Sequence, residues 1–288
     1  MDREEERAIV RRAYARQVIA AIGMKVPTLE AALAEVRRED FLGPGPWPIL
    51  QMSGDYVLTQ SDDPTALYGD TLIGLIPELG LNNGQASFLS FLIAHALPGP
   101  GDHAVHIGAG VGYYSAVMAT MVGPTGRVTA IEYEPALAAR AAENFADWPN
   151  VRVVSGDGAS ADFGPADVIF VNAGATRPVD IWLDRLRDGG RLILPLTVPL
   201  QGSAGTTPTG GNGAVFRIQR RGEEFDARYI SPISIYPCTG ARDDASEAAL
   251  IAAFGKGGWR EVTRLRRQDR ISDAECWLSA PTWSLAYR

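Results

Sequence analysis

Residues 104–122 constrain the chain most. A short apolar run, Ala104-Val105-His106-Ile107, meets Gly108-Ala109-Gly110-Val111-Gly112, and a helical stretch follows over residues 113–122. Glycines at these positions let the backbone turn tightly and let a ligand approach the main chain. The helix start behind them presents free N–H groups. The same rhythm continues downstream. Residues 128–131, 151–154, 168–171 and 191–196 read as strands, with helices over 135–145 and 179–186. Apolar runs alternating with helices predict an α/β fold with a doubly wound, mostly parallel sheet.

The flanking regions read differently. Residues 2–22 carry Ile9, Val10, Tyr14, Val18, Ile19 and Ile22 at helical spacing, with Gly23 as a stop. A second helix is expected with Thr28 as its N-cap. Gly43-Pro44-Gly45-Pro46-Trp47-Pro48 excludes regular structure and predicts a linker or wrapping loop. Residues 86–97 read as helix. A polar Gly/Thr/Ser-rich loop spans 200–213. Residues 214–220 and 225–235 read as a hairpin around Gly222, and the tail as helix (248–254) and strands (261–265, 276–278). This organises the chain into an N-terminal helical region (1–85), a central α/β domain (86–240) and a C-terminal α+β extension (241–288).

Charge and cysteine usage narrow the function classes. Lys and Arg total 27 against 34 Asp and Glu, a formal charge of −7, which argues against a nucleic-acid partner. Arg217, Arg220 and Arg221, and again Arg264, Arg266 and Arg267, read as solvated faces. Two isolated cysteines, Cys238 and Cys276, predict neither a disulfide framework nor a metal site. The charged start is no signal peptide, and no run of 18 or more apolar residues appears. A cytoplasmic protein without a membrane partner is the expectation; the oligomeric state stays open.

The glycine loop has two companions. Glu132 ends the next strand at roughly the 20-residue distance where a carboxylate meets ribose hydroxyls. Ser155-Gly156-Asp157-Gly158 follows the third strand, where Asp157 is placed to accept from an adenine amino group. Gly108, Gly110 and Gly112 are spaced GxGxG, which resembles the S-adenosylmethionine loop of class I methyltransferases. The dinucleotide pattern would want Gly or Ala at Tyr113.

More of the chain resembles one family, the protein-L-isoaspartate O-methyltransferases. Residues 108–119 are similar to its glycine loop and following helix, and Gly156-Asp157-Gly158 to its GDG motif. Residues 167–174, then Leu186-Arg-Asp-Gly-Gly-Arg-Leu-Ile-Leu-Pro195, resemble its fourth strand and the entry to the next. Residues 36–41 and Tyr68-Gly69-Asp70 resemble upstream motifs; the tail beyond 240 exceeds the usual family length. The resemblance implies a Rossmann-like class I methyltransferase fold, S-adenosylmethionine as cofactor with S-adenosylhomocysteine as product, and a peptide or protein acceptor. It implies that His106, Gly108, Gly110 and Gly112 border the methionine and ribose. Glu132 with Tyr133 would take the ribose, Asp157 and Gly158 would flank the adenine, and Asn172 would lie beside the methyl group.

The chain departs from the family at two places. His106 stands where an acidic residue is common. Asn82-Asn83-Gly84-Gln85-Ala86-Ser87 stands where the family carries a Thr-Ile-Ser type motif. A carboxylate acceptor is ionised at neutral pH and needs no general base, so positioning and desolvation suffice. Asn82, Asn83 and Gln85 offer amide donors for that task; an Asn-Gly turn is the structural alternative. A neutral acceptor would call for a base, and His95, His103 and Tyr68 are the few candidates. The expected activity is O-methylation of a peptide or protein carboxylate of the isoaspartyl type. A small-molecule or RNA methyltransferase and a non-catalytic cofactor-binding scaffold are the alternatives.

Overall fold

The computed structural model describes residues 2–199, 211–267, 272 and 274–288. Its chain forms two compact units. The first comprises Met1–Ala104 and Ala109–Gly156, the second Val105–Gly108 and Asp157–Arg288.

The first unit opens with α1 (Arg3–Ile22), started by Asp2, whose side chain accepts from the Glu5 N–H at 2.8 Å, and ended by Gly23 at φ 65°. Arg11, Tyr14, Ala15 and Val18 form its buried stripe, at the spacing that aligns side chains on one helix face. In α2 (Pro27–Glu35) Pro27 takes the first helical position and Val26 the cap. Thr28 therefore lies inside the helix rather than capping it, because proline's fixed φ and missing N–H suit the first turn. A one-turn helix, α3 (Glu39–Leu42), follows. Two short hairpins come next, β1 (Pro48–Leu50) with β2 (Tyr56–Leu58) and β3 (Gly74–Ile76) with β4 (Leu81–Asn82). Strands of two or three residues show no periodicity, so these hairpins were absent from the sequence reading.

Then come α4 (Ala86–Ala96), β5 (His103–Ile107), α5 (Tyr113–Val122), β6 (Arg127–Glu132), α6 (Pro135–Asn144) and β7 (Val151–Ser155). β6 and β7 pair in parallel, from Val128 opposite Val151 to Glu132 opposite Ser155. Arg38 lies at the heart of this unit, fully buried. Its Nη1 donates to the Leu67 and Gly69 carbonyls, and its guanidinium lies 5.4 Å from the Tyr14 ring centre and 5.2 Å from that of Tyr113. Aromatic faces supply part of what a carboxylate would give a buried cation.

The second unit holds β8 (Ala166–Val171), α7 (Asp180–Arg185), β9 (Leu186–Val198), β10 (Gly211–Arg221), β11 (Glu224–Ile235), α8 (Asp244–Lys256), β12 (Arg264–Arg267), β13 (Cys276–Ser279) and β14 (Trp283–Ala286). Its strands lie in the order β13-β14-β12-β11-β10-β9-β8. β8 and β9 run parallel, and the others antiparallel. Parallel pairs joined through helices confirm the α/β reading, and the long β10–β11 hairpin turns at Gly222 as expected. Residues 200–210 of the expected polar loop lie outside the described residues, and 211–213 begin β10.

The tail extends the sheet. The expected strand at 261–265 begins later, at Arg264, because Trp259–Glu261 forms a 3-10 turn. β14, not expected from sequence, inserts between β12 and β13. Trp277 is 1% exposed, with its ring 5.6 Å from Phe216 and 5.1 Å from Phe254. Trp283 donates from its indole to Ser246 Oγ. These tryptophans join tail strands to α8, whose start is capped by Asp243. No helix of the described residues is long and apolar enough to cross a membrane.

Candidate functional site

In the first unit the glycine loop and Glu132 come together. Gly110 and Gly112 adopt φ of 58° and 97°, backbone that side chains rarely tolerate. A β-carbon on Gly112 would also run into the Phe145 ring. The turn is pinned from Ala109 N–H to the Ile131 carbonyl at 3.1 Å and from Gly112 N–H to the Ala109 carbonyl at 3.0 Å. Asn144 supports it by donating to the Val111 carbonyl at 2.9 Å.

Glu132 closes β6 with 8% exposure. Its Oε2 accepts from Gly110 N–H at 2.7 Å and its Oε1 from Glu134 N–H at 2.9 Å. An ionised carboxylate has about four acceptor positions, so its backbone donors leave capacity for a hydroxyl. Burial pushes its pKa up, while the N–H groups of Glu134, Gly110 and Tyr133 pull the other way. Tyr133 beside it is exposed.

The amide-rich segment is also in this unit. Asn82 makes an Asx turn: its Oδ1 accepts from Gly84 N–H at 2.9 Å, and its Nδ2 donates to the Gly80 carbonyl. Gln85 donates to Asp70 Oδ2 at 3.0 Å. The side chains of Asn82 and Gln85 are therefore held by the protein itself. Asn83 differs. It is 6% exposed, its N–H donates to the Ile73 carbonyl, and its Nδ2 has no hydrogen-bond partner among the described residues. Sequence reasoning missed Asp70 as the organiser. Besides Gln85, its carboxylate accepts from Ser87 N–H at 2.7 Å and Ser87 Oγ at 2.6 Å. It thereby caps α4, which has no cap from its own N-cap side chain. No local signal pairs residue 70 with residue 87.

The candidate bases are otherwise engaged. His103 contacts Thr129 Oγ1 and the Arg127 guanidinium within the buried strand. Tyr68 donates to Glu39, and burial and that bond push its hydroxyl pKa up. His95 packs edge-on against Phe91.

The second unit holds the remaining predicted residues. His106 is fully buried against Phe170, with ring centres 5.1 Å apart, and burial pushes its pKa down to about 3. The neutral ring is enclosed by the core. Gly108, at φ 78°, accepts through its carbonyl from Asn172 Nδ2 at 3.3 Å. Asn172 N–H donates to the Ile107 carbonyl at 2.8 Å. Asp157 turns the chain by accepting from Ala159 N–H at 2.9 Å. The Gly158 carbonyl accepts from the Trp182 indole at 2.8 Å, and a β-carbon at Gly158 would strike Ile107. Gly240, which the sequence did not single out, lies so close to Asp157 that a β-carbon there would overlap its carboxylate.

Comparison with known proteins bears on the family and the fold. The model of the family described as protein-L-isoaspartate(D-aspartate) O-methyltransferase matches residues 85–206. A protein-L-isoaspartate O-methyltransferase of Thermotoga maritima is 31% identical over 173 residues, 59% of this chain and 50% of that protein. The relative in Brucella anthropi is 32% identical over 171 residues, 56% of this chain and 73% of that protein. The match thus spans only about half of the Thermotoga maritima protein's length. A solved protein-L-isoaspartate O-methyltransferase superposes with TM-score 0.64 at 20% identity, covering 96% of this chain and 87% of that one. A structure from Plasmodium falciparum, solved in complex with S-adenosyl-L-homocysteine, gives 0.60 at 16% identity, over 80% of this chain and 98% of that one. At these identities the structures speak for the class I methyltransferase fold alone. The sequence matches, together with the glycine turn locked onto Glu132, place this chain in the protein-L-isoaspartate O-methyltransferase family.

Proposed function

We propose that the chain transfers a methyl group from S-adenosylmethionine to a carboxylate of a peptide or protein, of the isoaspartyl type. The observation that carries this reading is the buried Glu132 carboxylate, held by two backbone N–H groups at the end of a strand with acceptor positions to spare. Vicinal hydroxyls of a ribose fit such an acceptor. Gly108, Gly110 and Gly112 would admit the methionine and ribose, with Tyr133 at the rim. Asp157 and Gly158 would flank the adenine, and Asn172 would border the methyl group. The enclosed His106 ring would serve as packing against Phe170.

When bound, S-adenosylmethionine supplies an electrophilic methyl on a sulfonium. Attack by an acceptor carboxylate oxygen on that methyl would break the C–S bond, giving a methyl ester and the neutral thioether S-adenosylhomocysteine. No proton moves, which suits a site whose His103 and Tyr68 are bound within the fold. The task left to the chain is orientation. Asn83 is the residue with a donor to spare, and Asp70, Gln85 and Asn82 would hold its segment in place.

Methyl transfer from labelled S-adenosylmethionine to an isoaspartyl peptide, run beside its aspartyl twin, tests the reading. Base-labile label on the isoaspartyl peptide alone is the expected result. Cofactor binding without transfer to it would overturn the acceptor, and absence of cofactor binding would overturn the reading as a whole.

A further inference from the structure

The segment 236–243, following β11, is tied to the stretch just after β8, at Gly174 and Thr176. Gly174 N–H donates to the Tyr236 carbonyl at 2.6 Å, and Cys238 N–H donates to the Gly174 carbonyl at 2.8 Å. Thr176 N–H donates to the Ala241 carbonyl, and Asp243 N–H to Thr176 Oγ1, each at 2.9 Å. This strap carries Gly240, which lies so near the Asp157 carboxylate that a β-carbon there would overlap it. Displacing the strap would free Asp157 to move.

One side chain fastens the strap to its surroundings. Arg242 Nη1 donates to the Gly174 carbonyl at 3.1 Å and to Thr197 Oγ1 at 3.2 Å, while Nη2 donates to Glu247 on α8. Gly174 lies close against Thr197, since a β-carbon there would strike its side chain. A planar guanidinium reaches a carbonyl and a hydroxyl from one nitrogen and a carboxylate from another, a spread that the single nitrogen of an ammonium does not match. Arg242 and Glu247 both lie outside residues 85–206, the region that matches the family.

We propose that Arg242 is a positioning residue for the adenine side of the cofactor site: it clamps the strap between α8 and the stretch just after β8, so that Gly240 fixes Asp157. This rests on the reading of Asp157 as a cofactor residue. The C-terminal extension thereby acquires a role in cofactor affinity rather than in the methyl-transfer step.

The test compares wild type with Arg242→Ala, Arg242→Lys, Glu247→Gln and Gly240→Ala, using S-adenosylhomocysteine titration and the KM and kcat of methyl transfer. Loss of charge-assisted bonds predicts about a tenfold weaker affinity for Arg242→Ala, on the order of one decade in KM, with kcat changed far less. Lysine should rescue only part of it. Glu247→Gln should weaken affinity in the same direction, and Gly240→Ala should do so by moving Asp157 directly. Amide exchange should quicken at residues 238–241 in the Arg242 and Glu247 variants and stay slow in β10. Unchanged affinity in folded Arg242→Ala would overturn the clamp. If that variant does not fold, unchanged affinity in Glu247→Gln and Arg242→Lys would overturn it instead. Wild-type protein that binds no S-adenosylhomocysteine would overturn the cofactor reading, and the clamp with it.

Discussion

Glu132 and Asn83, both in the first unit, carry charge or polarity that the fold does not fully use. Glu132 is buried, and burial raises its pKa against the pull of its backbone donors. The ionised form accepts from hydroxyls and the protonated form accepts less well. Cofactor affinity should therefore fall as pH drops through this raised pKa. Glu132→Gln should lower affinity by about ten- to a hundredfold, as expected for a lost charged hydrogen-bond acceptor, and should flatten the acid limb in titration calorimetry. Asn83 makes the converse case. Its Nδ2 is buried without a partner among the described residues, a cost of about 1–3 kcal/mol when nothing offsets it. Asn83→Leu should leave stability unchanged or raise it in urea unfolding while transfer to the acceptor falls and cofactor binding persists. A variant that unfolds more easily and transfers methyl normally would mark Asn83 as structural.

Among the elements, α4 shows how a distant residue completes a helix. Its own N-cap, Gln85, makes no capping bond, and Asp70 supplies the cap through Ser87. Asp70→Ala should cost about 1 kcal/mol, the usual worth of an N-cap, read as a lower urea midpoint with an unchanged slope. It should also raise KM for the acceptor, because Gln85 and Ser87 lose the same partner. A stability loss with an unchanged acceptor KM would limit Asp70 to capping. The longer helices and most strands of four or more residues follow from the sequence, since their periodicity is local, whereas the four-residue α3 and β14 do not. The short hairpins at 48–58 and 74–82 do not either, because two- and three-residue strands are defined by their partners.

At the scale of the molecule, the chain divides its glycine turn between two units: Gly108 belongs to the second, and Gly110 and Gly112 to the first. The second unit adds a tail beyond residue 240, and that tail is part of a core rather than an appendage. Trp277 is 1% exposed, and its indole donates to the Ala253 carbonyl at 3.0 Å. Trp277→Ala should destabilise that unit by about 3–5 kcal/mol, the range for emptying a buried aromatic site. Thermal unfolding should then show the loss, and an unchanged midpoint would contradict the packing role.

What the sequence determined by itself was whatever rests on local order. The alternation of apolar runs and helices specified the α/β fold, and the spacing from Gly110 to Glu132 specified a carboxylate at a strand end beside a glycine turn. Motif order along the chain was enough to suggest the family. Tertiary structure alone decided the rest. It enclosed the His106 ring, drew Asn82 and Gln85 into bonds of their own, and left the Asn83 amide with a donor unpaired among the described residues. It set Asp70 against Ser87 and laid Gly240 on Asp157. Each of these depends on which distant backbone arrives beside a side chain, and hydrogen bonds and excluded volume act across space without leaving a periodic trace in the sequence.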